Sequence, residues 1–163
     1  MSEQSNRRRY TYRNLDVWNR SQEMAVEVIR LVRRLPRNDD AVRVISRQVI
    51  AAAGSVGANI AEGHGRMTRR AYRQYLVISR GSASEVGSWL DLLKRLELLA
   101  EEQESPLQDE LDSLIGVLTY KIRSLAEADT APGKGTIREE SSVYITDSEA
   151  SPGTDEFDFE EIE

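Results

Sequence analysis

The sequence predicts an all-α protein, an antiparallel up-down four-helix bundle followed by a disordered acidic C-terminal tail. Three observations predict it. Apolar residues recur at helical spacing in four separate segments, and no stretch alternates with the period of two that a strand requires. The connections between the segments are short, which makes neighbouring helices antiparallel. Hydrophobic residues make up 39% of the 163 residues but aromatics only 6%, so the core is aliphatic.

The first helix is expected to begin near Leu15, with Asn14 or Asp16 near its cap. Trp18, Ala25, Val28, Ile29, Val32 and Leu35 fall on one face. Pro36 is expected to end it, because a residue preceding proline is pushed out of the helical region. Asn38 then offers a cap for the second helix, with Asp39 and Asp40 in the first turn, where the helix dipole favours acids. Val42, Ile45, Val49, Ala52, Ala53, Val56 and Ile60 form its apolar stripe. Gly54 and Gly57 cost helix propensity, so they point to close approach of a neighbour. Gly63 and Gly65 suit a left-handed helix end.

Thr68 can cap a third helix running to about Leu99. Its inner stripe comprises Tyr72, Tyr75, Leu76, Ser79, Ala83, Val86, Leu90, Leu93 and Leu96, and Gly81, Ser82, Ser84 and Gly87 leave room for close packing. An acidic linker, Glu101 to Glu104, is expected next. Ser105-Pro106-Leu107-Gln108 then reads as a capping box with proline at the first helical position. Leu107, Leu111, Leu114, Leu118, Ile122 and Leu125 face inward on the fourth helix. The chain thus divides into a basic arm (1–13), the bundle (14–128) and the tail (129–163).

The net charge of −6 conceals a segregation. Residues 1–128 carry 20 Lys+Arg and 17 Asp+Glu, a net of +3, whereas residues 129–163 carry 2 and 11, a net of −9. The basic residues are almost all arginines, which favour planar contacts with phosphate or carboxylate. A basic body with an acidic tail implies a polyanionic partner and something that modulates it. The tail carries Phe157-Asp158-Phe159 among its acids. It reads either as a solubilising segment or as a docking peptide whose rings enter a pocket while its acids meet basic residues.

Catalysis finds little support. The absence of cysteine removes thiol chemistry, disulfides and cysteine-based zinc sites, and fits a reducing, cytoplasmic setting. A single histidine, His64, excludes a histidine-rich metal site within one chain. There is no Walker-type loop, and no metal or cofactor is expected. An enzymatic reading would rest on Glu62 and His64 and ranks last. No apolar run approaches the roughly 20 residues that span a bilayer.

Two arginine groups stand out instead. Arg30, Arg33, Arg34 and Arg37 sit at i, i+3, i+4 and i+7, and Arg66, Arg69, Arg70 and Arg73 repeat that spacing, which places four guanidiniums on one helical face in each group. Arg43 and Arg47 add a pair at i, i+4, and Arg7-Arg8-Arg9 a basic arm. The second group opposes the helix dipole, and a locally unfavourable choice hints at use. These ten arginines are candidate contacts for the RNA or DNA backbone; solvated faces are the bland alternative. Base-specific reading lacks a motif. Asn59 and Glu62 lie beside Ile60 and Ala61, and a buried Glu62 would require a partner; Arg80 on the facing helix is the candidate.

Asn59-Ile60-Ala61-Glu62-Gly63-His64-Gly65-Arg66 resembles the hallmark segment of the four-helix-bundle family of the 23S rRNA intervening-sequence proteins. Leu15-Asp16-Val17-Trp18 is similar to the family's opening, and Leu35-Pro36 to its first-helix terminus. Tyr75-Leu76 and Ser79-Arg80-Gly81-Ser82-Ala83-Ser84-Glu85 resemble a further conserved stretch of the family, with Tyr75 and Ser79 as mild substitutions. The resemblance covers roughly residues 12–126 and omits the tail. It implies kinship with the accessory variability determinant of diversity-generating retroelements, a homopentameric ring that binds nucleic acid and a reverse transcriptase. It also implies that Asn59, Glu62, Gly63, Gly65, Arg66, Arg80, Gly81 and Glu85 are structural or interface residues. The resulting expectation is a non-enzymatic, oligomeric nucleic-acid-binding accessory protein. The alternative is a protein-interaction scaffold whose tail docks on a partner or masks the basic face.

Overall fold

A computed structural model describes residues 11–130. The basic arm Arg7-Arg8-Arg9 and the tail with Phe157-Asp158-Phe159 lie outside the described residues. A single 3-10 turn, Tyr12–Asn14, leads into four helices: α1, Asp16–Val32; α2, Asp40–Gly65; α3, Arg69–Arg95; and α4, Glu101–Thr130. Each helix packs on its neighbours in sequence, and α4 returns to α1 to close the ring. The protein is an all-α four-helix bundle, with no strand among the described residues.

The core is aliphatic, as the composition requires. Val28, Val49, Val56, Ile60, Leu76, Leu90, Leu93, Leu111, Leu114 and Leu118 are completely buried. Four contacts fix the register of the helix pairs. Gly57 of α2 faces the side chains of Ser21 and Gln22 on α1, where a Cβ would come within 2.8 Å of Ser21 Oγ. Buried Ser79 Oγ of α3 donates to the Val56 carbonyl of α2 at 2.9 Å. Gly87 of α3 sits against Leu111 of α4, where a Cβ would lie 3.2 Å from Leu111 Cδ2. Arg20 of α1 reaches α4 through Nε to Glu110 Oε1 (2.9 Å) and Nη2 to Ser113 Oγ (2.7 Å). At the start of the bundle Tyr12 packs edge-on to Trp18, with ring centroids 5.0 Å apart.

Several helix ends differ from expectation. Helix α1 stops at Val32, four residues before Pro36, because Arg34 and Leu35 donate to the Leu31 and Val32 carbonyls in a tighter turn. Asp39, not Asn38, caps α2; its carboxylate accepts from the Ala41 and Val42 amides. The left-handed residue after α2 is Met67 (φ 56°), whereas Gly63 and Gly65 both remain helical. Thr68 caps α3 as expected, accepting from the Ala71 amide at 3.2 Å. Helix α3 ends at Arg95, with Glu97 left-handed (φ 57°), and this turns Leu96 outward to 49% exposure. The expected acidic linker is helical and forms the first turn of α4. Pro106 consequently lies inside α4 rather than at its first position.

Gly63 shows why small residues recur where α2 meets α3. A Cβ there would lie 2.5 Å from Tyr75 Cβ, an atom anchored to the α3 backbone, whereas the space around Gly65 is open. Gly63→Ala is therefore expected to destabilise by about 1–3 kcal/mol through overpacking, despite alanine's helix propensity. Gly65→Ala is expected to be neutral or stabilising by less than about 1 kcal/mol. Urea denaturation of both variants checks the pair; equal effects would mean that Tyr75 yields to the added methyl.

Candidate nucleic-acid interface

The two arginine groups occupy opposite ends of the bundle. Helix α2 begins beside the end of α1 and runs 26 residues before reaching Arg66, a rise of about 39 Å. The end containing the α1–α2 turn is the more open basic surface. Arg33, Arg37, Arg43 and Arg47 converge there around a shallow concavity of about 270 Å³, floored by Val32, Leu35 and Pro36 and lined also by Ser46. Among the described residues no carboxylate lines it. Arg43 pairs with Asp40 at 2.6 Å. Among the described residues Arg33, Arg37 and Arg47 are exposed and form no side-chain hydrogen bond or ion pair. Lys94 and Arg95 close α3 at the same end of the bundle.

This arrangement splits the Arg30–Arg37 group. Because α1 ends at Val32, Arg37 belongs to the turn and not to a continuous helical face. Arg30 and Arg34 border a different and larger concavity of about 770 Å³, between α1 and the start of α4. Glu23, Glu27 and Glu110 line it as well, and Arg30 pairs with Glu27. A surface of mixed sign suits a polyanion poorly. Sequence spacing found the arginines but missed Ser46 and the apolar floor, which arise from the fold of the turn around Pro36.

The other arginine group is also reorganised. Arg66 is the C-cap of α2, while Arg69, Arg70 and Arg73 lie in α3, so the four do not share one helix. Arg66 Nη2 donates to Glu62 Oε1 at 2.6 Å, and the Tyr75 hydroxyl donates to the same oxygen at 2.7 Å. Glu62 is exposed rather than buried, and Arg80 is not its partner. Arg80 projects from α3 into solvent, because the α2–α3 register sets Tyr75 opposite Glu62. Arg73 is not free, whereas Arg69 and Arg70 form no side-chain hydrogen bond or ion pair among the described residues. The remaining hallmark side chains serve local structure. Asn59 Nδ2 donates to the Ser55 carbonyl at 2.7 Å, Glu85 accepts from Trp89 Nε1 at 3.2 Å, and Gly81 is exposed with open space around it. His64 packs edge-on to Tyr72, with centroids 6.3 Å apart.

Hydrogen bonds donated by Arg66 and Tyr75 hold the Glu62 carboxyl below the usual carboxylate range, and those that Arg66 donates to Glu62 and Tyr75 push its guanidinium up. A depressed folded-state value means that Glu62 contributes stability above the unfolded carboxylate range, and that the contribution is lost as pH falls through the folded value. The trio is exposed, so the effect is small. Thermal unfolding of wild type and Glu62→Gln should differ near neutrality and converge as the pH drops below about 4. A gap that persists in acid would show that the ion pair is not its source.

Comparison with protein families matches residues 13–120 to the 23S rRNA-intervening sequence protein family. The chain belongs to this family. The matched span covers the bundle and leaves the acidic tail outside, and both the Glu62–Arg66–Tyr75 trio and the four-arginine concavity fall within it. Among solved structures, the chain is similar to a protein of unknown function from the S23 ribosomal protein family of Bacteroides thetaiotaomicron VPI-5482. The two are 30% identical with a TM-score of 0.61, over 66% of this chain and 98% of that one. The comparison with curated proteins found no match. Within this family member, no group of three or more His, Asp or Glu able to hold a metal occurs among the described residues. No described helix is long and apolar enough to cross a membrane.

Proposed function

We propose that this family member is a non-enzymatic, homo-oligomeric accessory protein that binds the RNA or DNA backbone. The carrying observation is the convergence of Arg33, Arg37, Arg43 and Arg47, from the α1–α2 turn and α2, on one surface that no carboxylate lines among the described residues. Guanidinium groups of this kind neutralise phosphates and release counterions whatever the base sequence. Arg69 and Arg70 form a second, smaller contact region at the far end. The separation of about 40 Å corresponds to roughly 12 base-pair steps at 3.4 Å, so one duplex laid along the bundle reaches both.

The outer faces of α2 and α3 support the assembly part of this reading. Gly54 and Gly81 are exposed with open space where a Cβ would stand. Val44, Ile50, Val77, Ile78 and Leu92 are exposed on the same two helices. Exposed apolar side chains and glycines open to approach are features that suit contact with another copy of the chain. The resemblance to the retroelement accessory protein suggests a homopentamer, with a reverse transcriptase or another nucleic-acid enzyme as its partner. Repetition of the arginine surface around such a ring would raise affinity through multivalency.

Light scattering of the purified full chain with a mixed-sequence RNA tests this reading. The expected result is a five-fold species that gains RNA mass at low salt and loses it as salt rises. A monomer would overturn the assembly. A species that ignores RNA at every salt concentration would leave the protein-interaction scaffold as the better account, favoured by the acidic, aromatic-bearing tail.

A further inference from the structure

The concavity of Arg33, Arg37, Arg43 and Arg47 has a feature that phosphate binding does not use. Its floor is apolar, made by Val32, Leu35 and Pro36. A phosphodiester backbone would gain little from that floor. An acidic peptide carrying an aromatic ring would satisfy both parts, the ring covering the floor and the carboxylates meeting the guanidiniums in charge-assisted hydrogen bonds. The chain itself contains such a peptide, Glu156-Phe157-Asp158-Phe159-Glu160-Glu161-Ile162.

Reach permits the contact. Gly87 of α3 touches Leu111 of α4. The two helices are antiparallel, so the 18 residues back to Arg69 and the 19 forward to Thr130 bring the α4 terminus level with Arg69. The tail therefore leaves the bundle at the end opposite the concavity, about 40 Å away. The 27 residues from Thr130 to Phe157 span up to about 90 Å when extended. At the nearer end only Arg69 and Arg70 are without a side-chain partner among the described residues, against four arginines around the concavity. Arg66 is already held by Glu62 and Tyr75, and Arg73 is not free. The larger concavity carries Glu23, Glu27 and Glu110, which repel acids.

We propose that residues 156–162 of this chain dock on the arginine-lined concavity at the α1–α2 turn, with a ring of the Phe157-Asp158-Phe159 segment on the apolar floor. The bound segment covers the surface assigned above to phosphates and competes with nucleic acid for it. The competition rests on the proposed function, whereas the docking does not.

The chain lacks cysteine, so a nitroxide on Ser151→Cys in the full chain reports the tail position by paramagnetic broadening of amide signals. The expected result, without nucleic acid and at moderate salt, is selective broadening at residues 32–47, relieved when Phe157→Ala and Phe159→Ala are added. Broadening centred on residues 69–73, or broadening at residues 32–47 unchanged by the two substitutions, would overturn the proposal. So would broadening at residues 32–47 that persists when nitroxide and isotope are carried by different chains and the two are mixed, since that would place a neighbouring copy's tail on the surface. If docking is observed, the Phe157→Ala/Phe159→Ala variant should bind RNA several-fold more tightly. Docking with unchanged RNA affinity would uphold the contact and place the phosphate surface elsewhere.

Discussion

Leu90→Ala is expected to destabilise the bundle by about 3–5 kcal/mol, the upper part of the range for large-to-small changes in a packed core. Leu90 is completely buried in α3 and belongs to the cluster that joins all four helices. Truncation removes the transfer energy of its methyl groups and leaves a void that helices locked by neighbouring contacts cannot close. Gly87, one turn away, already packs against Leu111, and Ser79 is tied to the Val56 carbonyl, so α3 has little freedom to shift inward. A marginally stable domain of this size has about 5–15 kcal/mol in total, and the variant could lose a large share of it. Chemical denaturation measures the change. A cost below about 1 kcal/mol would mean that the core relaxes more freely than its packing implies.

The second large effect concerns function. Replacing Arg33, Arg37 and Arg47 together by alanine should lower affinity for RNA on the order of 100-fold at low salt, taking about 1 kcal/mol for each lost contact. The slope of log affinity against log salt should become shallower by about 2, at roughly 0.7 per phosphate released from a single strand. All three side chains are exposed and support no described contact, so stability should hardly change. Arg20 provides the contrast. It is bound to Glu110 and Ser113, and Arg20→Ala should disturb the α1–α4 register rather than the salt slope. If the triple variant keeps the wild-type slope while Arg69→Ala/Arg70→Ala loses it, the phosphate surface lies at the far end of the bundle.

The sequence by itself determined the four amphipathic stripes, because burial of an apolar face leaves a period that can be read locally. The Thr68 cap was legible for a similar reason: a capping side chain bonds an amide three residues away. The hallmark segment from Asn59 to Arg66 likewise carried the family. Other helix ends were less legible. Asn38 and Asp39 are both capable caps, and the backbone geometry that selected Asp39 depends on the turn from α1. Pro36 marked the turn but did not end the helix, which the tighter bonding after Leu31 had already stopped.

Only the tertiary structure decided the partners. Sequence reasoning paired Glu62 with Arg80, but the α2–α3 register sets Tyr75 opposite Glu62, and Arg66 reaches it from one turn away. Gly63 and Gly65 look equivalent in the sequence, yet Gly63 alone faces Tyr75 at a distance that excludes a side chain. The arginine spacing suggested two four-membered faces. The end of α1 at Val32 instead divided one group between two concavities and joined Arg33 and Arg37 to Arg43 and Arg47 from the next helix. Periodicity reports which face of a helix is buried. The direction in which a chain leaves that helix, and therefore which charges meet, depends on contacts between residues distant in sequence.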